Sequence, residues 1–587
     1  MNINIDFDPK TKRFVVGVPF ILADLARAFP SRRFDPKTKK WKMPLVAANV
    51  RHIKDRHMDA DMTETARAAM QNFEAMTQAP KYQPFPRHIY KFPLAPFEHQ
   101  GRMMDLSWGL AASAWFAEMG TGKTYAAISI ACARWMAGEI DGVAIICPST
   151  LRRTWLKELK KYATCEYDYR IHETKASWLK EFYASTPRPG RDALPILGIS
   201  VEGLGVSEQL YDSACGFYVN RRVLTICDES SRIKNAQRLR TQRAIMLGGA
   251  SVYRMILNGT PIALGIQDLW AQYEFLDPNI LGTGDYWAFR TRYIQMGGYD
   301  DKQIIGYSHV DELMNLIRPY TIEVRKKDVL KDLPPKVPKT IEIEATPEQR
   351  KLFKYIATGK DKTGTMPLIK VDNVLERDLR LRQVVGGWLP KSVMNQKPTI
   401  IDGEEVYEWH TVLEPLKDNP KMNALFDWLD TYRQGYKFII WSTFVHEIEF
   451  IANALKLQYG EHTVETYYGK TPMEDRARIE DRYCQDASMR YFIGNPTAAG
   501  LGLTLVSGEN DVMVYYSGTS AFIDRAQSED RAHRIGQKNS VIVADFVMDK
   551  SIDLVIQASI EAKMDLDKFV KDQLAKGVDI IKIISGD

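Results

Sequence analysis

The chain has 587 residues, 45% hydrophobic and 26% charged, with 79 Lys and Arg against 74 Asp and Glu, a net charge of +5. This is the composition of an ordinary multidomain globular protein, which excludes a disordered or fibrous chain, and the mild basicity permits a polyanion partner without demanding one. Six cysteines without a C-x-x-C pair argue against zinc or a disulfide framework and fit a reducing interior, and with no run of eighteen apolar residues neither a membrane span nor a signal peptide is expected.

Residues 1–60 hold an internal echo, Phe7-Asp-Pro-Lys-Thr-Lys-Arg-Phe14 and Phe34-Asp-Pro-Lys-Thr-Lys-Lys-Trp41. Asp-Pro-Lys-Thr is turn chemistry, so each copy reads as a hairpin tip leading into a strand, with helical spacing between them from Pro19 to Phe29. Basic residues including Arg33 and Lys37 interleave with Phe34 and Trp41, a mixture suited to phosphate contact and base stacking; a solvated basic face is the alternative. A polar helix and then a proline-rich stretch make residues 61–91 a linker.

From residue 92 the chain alternates strands, loops and helices. Gln100, just ahead of the first strand, offers an amide that could face an adenine edge. Ser113-Ala-Trp-Phe116 leads as a strand into Ala-Glu-Met-Gly120-Thr121-Gly122-Lys123-Thr124, a phosphate-binding loop. Its glycines let backbone N–H groups curl around a triphosphate, Lys123 neutralises it, and Thr124 can ligand Mg²⁺ at a helix N-terminus. The strict pattern wants glycine where Ala117 stands. The buried strand Gly142–Cys147 ends at Ser149 and Thr150, which open a helix and suit a backbone phosphate or a plain cap, and Ser200 repeats the pattern. The strand Val223–Cys227 delivers Asp228 and Glu229 at its carboxyl end, Asp228 to hold Mg²⁺ and Glu229 to orient and deprotonate the attacking water. Gly259 and Thr260 follow the next strand, placed to sense the γ-phosphate and couple it to the sheet.

Residues 265–330 are expected as a helical protrusion from this first lobe, and 331–415 as a linker and second helical insertion with a hairpin at Asp402-Gly403. The arginines of Arg377–Gln383 either follow a phosphate backbone or form a salt-bridged helix. The second lobe, 416–555, begins at Lys437-Phe-Ile-Ile-Trp-Ser442-Thr443, whose hydroxyls are assigned with Ser149, Thr150 and Ser200 to strand phosphates. Thr471-Pro-Met-Glu474 predicts a capping box on a helix from Pro472 to Cys484. Small residues from Asn495 to Thr504, Gly502 among them, allow close backbone approach to phosphate and nucleotide. In Gln527-Ser-Glu-Asp-Arg-Ala-His-Arg-Ile-Gly-Gln537, Arg531 and Arg534 are spaced one helical turn apart, so both guanidinium groups can reach the transferring phosphoryl group; Gln527 joins the nucleotide contacts. Residues 556–587 read as brace helices.

Asp228-Glu-Ser-Ser-Arg-Ile-Lys-Asn235, Asn258-Gly-Thr-Pro-Ile262 with Asp268-Leu-Trp and Phe275-Leu-Asp-Pro, and Leu333-Pro-Pro-Lys336 with Thr346-Pro-Glu-Gln349 resemble the Swi/Snf group of superfamily 2 helicase-like ATPases over nearly all of residues 92–555. That family accepts Ala at the first loop position but usually carries His where Ser231 stands, which puts the coupling of hydrolysis to nucleic acid in question. Phe29-Pro-Ser-Arg-Arg-Phe-Asp-Pro-Lys-Thr-Lys-Lys-Trp-Lys-Met-Pro-Leu45 resembles the HARP domain of annealing helicases, which implies binding to branched or partly single-stranded DNA.

The resemblance implies an α/β protein of two RecA-like parallel-sheet lobes with helical insertions behind a small N-terminal α+β module. It implies an ATP- and Mg²⁺-dependent DNA translocase following duplex or forked DNA; contacts to the backbone predict little sequence preference, and a monomer is expected. Its place is the nucleoid-associated cytoplasm in a bacterium, archaeon or phage and the nucleus in a eukaryote. The alternatives are a strand-separating DNA or RNA helicase, and a DNA-binding scaffold with weak ATPase.

Overall fold

Two hairpins open the chain. In a computed structural model describing residues 3–569, apart from 10–12, 20–22, 28, 30–31, 46, 58–59, 77–82, 89, 174–176, 185–191, 260–264, 298–302, 360–365, 372, 395–398, 402–403, 407–408, 433–434, 500–502, 563, 565 and 567–568, β1 (Asn4–Asp8) pairs antiparallel with β2 (Arg13–Gly17). A second hairpin joins β3 (Arg33–Asp35) to β4 (Lys40–Pro44), and β5 (Asp61–Met62) completes a sheet of order β3-β4-β2-β1-β5. Each Asp-Pro-Lys-Thr begins at the last residue of a paired strand, Asp8 or Asp35; of the first copy, Lys10 and Thr11 lie outside the described residues. Alternation puts Ile5, Phe14, Val16 and Met43 inside, where Phe29 joins them from beyond α1 (Ala23–Arg27) and Ile53 from α2 (Ala47–Arg56). Ala66 and Met70 of α3 (Glu64–Met76) are buried in the same core. The module therefore continues well past residue 60, and the expected 61–91 linker is in large part packed structure. Further on, the Phe85 N–H donates to Asp105 at 2.8 Å, and Phe85 and Tyr90 are buried.

The chain divides into two units, residues 1–331 and 332–587. Beyond the N-terminal module, the first unit holds a seven-stranded sheet of β6 (Ala112–Ala117), β7 (Gly142–Cys147), β8 (Tyr167–Ile171), β9 (Leu194–Ser200), β10 (Val223–Asp228), β11 (Tyr253–Asn258) and, after a hairpin of β12 (Ile294–Gly297) and β13 (Gln303–Tyr307), β14 (Thr321–Val324). The order is β14-β6-β11-β10-β7-β9-β8, with every pair parallel. Every residue of β6, β7 and β9 is buried, the signature of strands covered on both faces. The expected protrusion, 265–330, is largely part of this lobe: Leu269, Tyr273 and Phe275 are buried with Ile256 and Cys227, and β14 bonds to β6.

The second unit has a six-stranded parallel sheet, β15 (Lys336–Ile343), β20 (Tyr436–Trp441), β21 (Val464–Tyr467), β22 (Tyr491–Gly494), β23 (Asn510–Tyr515) and β24 (Val541–Met548), in the order β15-β24-β23-β20-β22-β21. Between β15 and β20 lie two hairpins, β16 (Trp388–Met394) with β19 (Trp409–Pro415) and β17 (Thr399–Ile401) with β18 (Glu404–Val406), the latter flanking the expected turn at residues 402 and 403. The stretch 331–415 is not a separate insertion. Its β15 is an edge strand of the sheet, and Leu352, Phe353, Leu381 and Val384 share a core with Phe438 and Val512, because their apolar helix faces have no other surface to bury against. Arg380 pairs with Glu376 at 2.8 Å and is buried, so this helix turns its arginines inward. The helix Met473–Gln485 takes Pro472 as N-cap without a side-chain cap, since Thr471 Oγ1 accepts instead from the Tyr468 N–H at 3.0 Å. The expected capping box does not form. Of the C-terminal brace, helix Ile552–Glu561 is described, and its Ile552, Val555 and Ile556 are buried.

Candidate active site

The carboxyl ends of β6 and β10 build the site. After β6 the chain turns through Gly120 and Gly122, whose φ values of 78° and 83° favour glycine, into α5 (Lys123–Met136). A Cβ at Gly122 would lie 2.1 Å from the Gln100 amide nitrogen, so no larger residue fits. Gln100, in α4 (Glu98–Trp108), donates to Thr121 O at 3.2 Å and accepts from the Phe97 N–H at 2.9 Å. Both ends of its amide take part in these bonds, so its visible work is to cap α4 and brace the loop. His99, which sequence reasoning missed, reinforces it by donating Nε2–H to the same Thr121 carbonyl at 2.8 Å. The Lys123 ammonium donates to Ala117 O and Glu118 O at the mouth of the loop, and Thr124 is half-buried one residue further along α5.

At the end of β10, Asp228 accepts from the Trp155 indole N–H at 3.0 Å through Oδ2 and from the Glu229 N–H at 3.0 Å through Oδ1. Burial pushes its carboxyl above the ordinary range, and the Lys123 ammonium, the largest opposing influence, pulls it back. The two loops thus meet in one site, although β11 separates their strands. Glu229 is buried and left-handed, with φ 53° and ψ 52°. A non-glycine residue held there costs of order 1–3 kcal/mol, and such strain collects at functional positions. A buried carboxylate disfavoured by its surroundings, with Thr124 on the neighbouring helix, suits a divalent cation.

Asp228→Asn turns an amide nitrogen onto one of the two N–H donors from which the carboxylate accepts, so at low pH the variant's thermal midpoint, measured in EDTA, should fall below the parent's by about 2–4 °C for each kcal/mol lost. A raised carboxyl subtracts stability where the folded protein must carry the charge, so that deficit should shrink as pH rises through the carboxylate range, where the parent alone must ionise Asp228. The same change should lower ATP turnover by about 10²-fold or more.

Ser149 and Ser200 converge on one acceptor: the Ser149 N–H and Ser200 Oγ each donate to Glu202 Oε2 at 3.0 Å. Ser200 is buried, so its hydroxyl is an anchor and not a surface contact. Thr150 sits half-buried at the N-terminus of α6 (Leu151–Tyr162), without a capping bond. Gly259 lies against Met119, where a Cβ would come within 3.2 Å of Cγ. Thr260 and Gly502 lie outside the described residues.

In the second unit the arginine motif departs from expectation. The helix Phe522–Glu529 stops before it, so Arg531 and Arg534 occupy the turn beyond and share no helix face. They are united by a neighbouring loop instead: Arg531 donates to Leu503 O at 3.1 Å and to Gln527 O at 3.1 Å, and Arg534 to Thr504 Oγ1 at 2.9 Å. Arg531 is 5% exposed, Gln527 is buried too, and Arg534 is half-buried. Ser442 is fully buried, donating to Glu447 Oε2 at 2.5 Å, which removes it from the strand contacts. Thr443 stays half-buried and accepts from Arg382 at 2.9 Å. In the N-terminal module Arg33 and Lys37 are exposed, and Phe34, 46% exposed, lies with its ring 5.0 Å from that of Trp41.

A phosphate-binding loop and an Asp-Glu pair at the carboxyl end of a parallel sheet, with a second parallel-sheet unit after it, define a helicase-like ATPase. Residues 110–386 match the SNF2-related domain and residues 420–536 the helicase conserved C-terminal domain. The chain belongs to the Swi/Snf-type superfamily 2 helicase-like ATPases.

It is 28% identical over 356 residues to the SWI/SNF-related matrix-associated actin-dependent regulator of chromatin subfamily A member 1 of Mus musculus, covering 59% of this chain and 32% of that protein. It is 25% identical over 473 residues to the ISWI chromatin-remodeling complex ATPase ISW2 of Saccharomyces cerevisiae, covering 78% and 39%. The match thus spans between about a third and two fifths of the length of these curated relatives. Among solved structures, the Sulfolobus solfataricus SWI2/SNF2 ATPase core in complex with dsDNA is 20% identical and covers 85% of this chain and 98% of that one, with a TM-score of 0.36; the fold assignment rests on the strand orders above. No helix among the described residues is long and apolar enough to cross a membrane.

Proposed function

We propose that the protein is an ATP-driven translocase of double-stranded or forked DNA. The observation that carries this is the meeting of Lys123 with Asp228 beside a strained Glu229, a site that can take a triphosphate and an attacking water. Lys123 and the N–H groups of the 120–124 loop bind the phosphates. Glu229 orients the water and accepts its proton. Thr124 and Asp228 would hold Mg²⁺, which supplies charge neutralisation of the phosphates when bound. Arg531 and Arg534 supply positive charge to the transferring phosphoryl group. The Ser149–Thr150 end of α6 and Thr443 grip strand phosphates, and such backbone contacts imply little sequence preference and steep salt dependence.

The test is ATP turnover against duplex, forked and single-stranded DNA and RNA over a salt series. Duplex and forked DNA should stimulate most and lose that effect as salt rises. Stimulation by RNA alone would reject the reading.

The N-terminal module favours forked or partly single-stranded DNA, as its HARP-like resemblance implies, because Phe34 and Trp41 offer rings to unpaired bases beside Arg33 and Lys37. Work on such DNA is fork remodelling or strand annealing, of use in repair and at replication forks, and it places the protein with its DNA, in the nucleoid or the nucleus. The protein is proposed to act as a monomer. Deleting residues 1–78, a cut that leaves no half of the module's core behind, should weaken fork binding by about tenfold, the loss of one to two stacked bases, and spare duplex-stimulated turnover. Equal loss of both would mark the module as purely structural.

A further inference from the structure

The α6 helix connects the two ends of the proposed motor chemistry. Its first turn follows Ser149 and Thr150, and Arg152 Nε donates back to Ser149 O at 3.3 Å, tying that turn to the loop. Trp155 lies one turn further on the face that also buries Leu151, about 6 Å along the axis from it at 1.5 Å per residue. An indole has one polar atom, a donor, and most buried tryptophans can satisfy it with any carbonyl. Here the ring is 2% exposed and its N–H goes to Oδ2 of Asp228, 73 residues away in the chain. With Oδ1 taking the Glu229 N–H, the Trp155 indole is the second donor that fixes how the Asp228 carboxylate is turned. The N-terminal end of α6 is tethered as well, through the Ser149 N–H on Glu202.

We propose that Trp155 is a positioning residue that couples strand binding at the Ser149–Thr150 end of α6 to the orientation of Asp228. A phosphate that draws on the first turn moves the helix as a body, and the indole carries the displacement to the carboxylate. The coupling must run both ways, because linkage between two ligands is reciprocal. This rests on the translocase reading, and the test separates the two.

Trp155→Phe keeps a ring in the site and removes only the N–H. The affinity of the full-length protein for a short fluorescent duplex is measured with and without a non-hydrolysable ATP analogue and magnesium. In the unmodified protein the two affinities should differ by about fivefold or more, the ordinary range of linkage. In Trp155→Phe that ratio should fall toward one, while affinity for DNA alone and for analogue alone stays within about twofold, a pattern that loss of structure does not produce. Trp155→His, which retains a ring N–H, should keep part of the ratio and serves if the Phe variant does not fold. A full ratio in Trp155→Phe, or equal loss in both variants with each fold intact, overturns the role of Trp155. A ratio of one in the unmodified protein overturns the DNA-motor reading itself.

Discussion

Lys123→Ala is expected to lower DNA-stimulated ATP turnover by about 10²- to 10³-fold, the usual consequence of removing one preorganised electrostatic donor from a reacting centre. The side chain is 9% exposed and bonded to Ala117 O and Glu118 O, so the loop is folded around its ammonium. Its removal takes away the charge that opposes the burial of Asp228, and the carboxyl should rise further. Two losses then act together, the triphosphate without its cation and Asp228 with a weaker hold on its charge. Duplex affinity without nucleotide should be little changed, because Lys123 lies at the phosphate loop and not on α6. Persistence of DNA-stimulated turnover in this variant would end the motor reading and leave the scaffold with weak ATPase.

For Arg534→Ala, kcat should fall by about 10³-fold while nucleotide affinity stays within about threefold, since a guanidinium that meets charge developing in the transition state contributes little to ground-state binding. Arg534 is the cleaner probe of the pair. Half-buried, it donates to the Thr504 hydroxyl, which water can serve in its place. Arg531 is buried, and its loss would also strip donors from Leu503 O and Gln527 O, at about 1–3 kcal/mol of stability. Turnover of Arg534→Ala within tenfold of the parent, with the second unit folded, would show that the charge acts elsewhere.

The glycine turn after β6 and the place of the Asp-Glu pair at the end of a buried strand were legible because their geometry is local. Gly120 and Gly122 answer a backbone need inside a few residues, and a wholly apolar strand such as Val223–Cys227 announces a covered parallel sheet without reference to anything distant. The two hairpins of the N-terminal module were legible for the same reason, each turn carrying its own Asp-Pro.

Where sequence reading erred, a competing partner had won. Thr471 looked like a cap, but the Tyr468 N–H claims its hydroxyl. Ser442 looked like a phosphate contact, but Glu447 draws it fully inside. Arg531 and Arg534 looked like one helix face, but the helix ends at Glu529 and carbonyl and hydroxyl groups of residues 503 and 504 gather them instead. The 331–415 stretch read as an insertion because nothing in its spacing reveals that Lys336–Ile343 pairs with Val541–Met548, some two hundred residues later.

The amino-acid order by itself determined the class of protein, the glycine turn after β6 and the carboxylate pair at the end of β10, since each depends on neighbours within one turn or one strand end. Only the tertiary structure decided which polar groups are left to meet a ligand. Trp155 on Asp228, Gln100 and His99 on Thr121, and the Ser149 N–H on Glu202 are contacts across 21 to 73 residues, and burial presses each such donor to find an acceptor that no local pattern specifies.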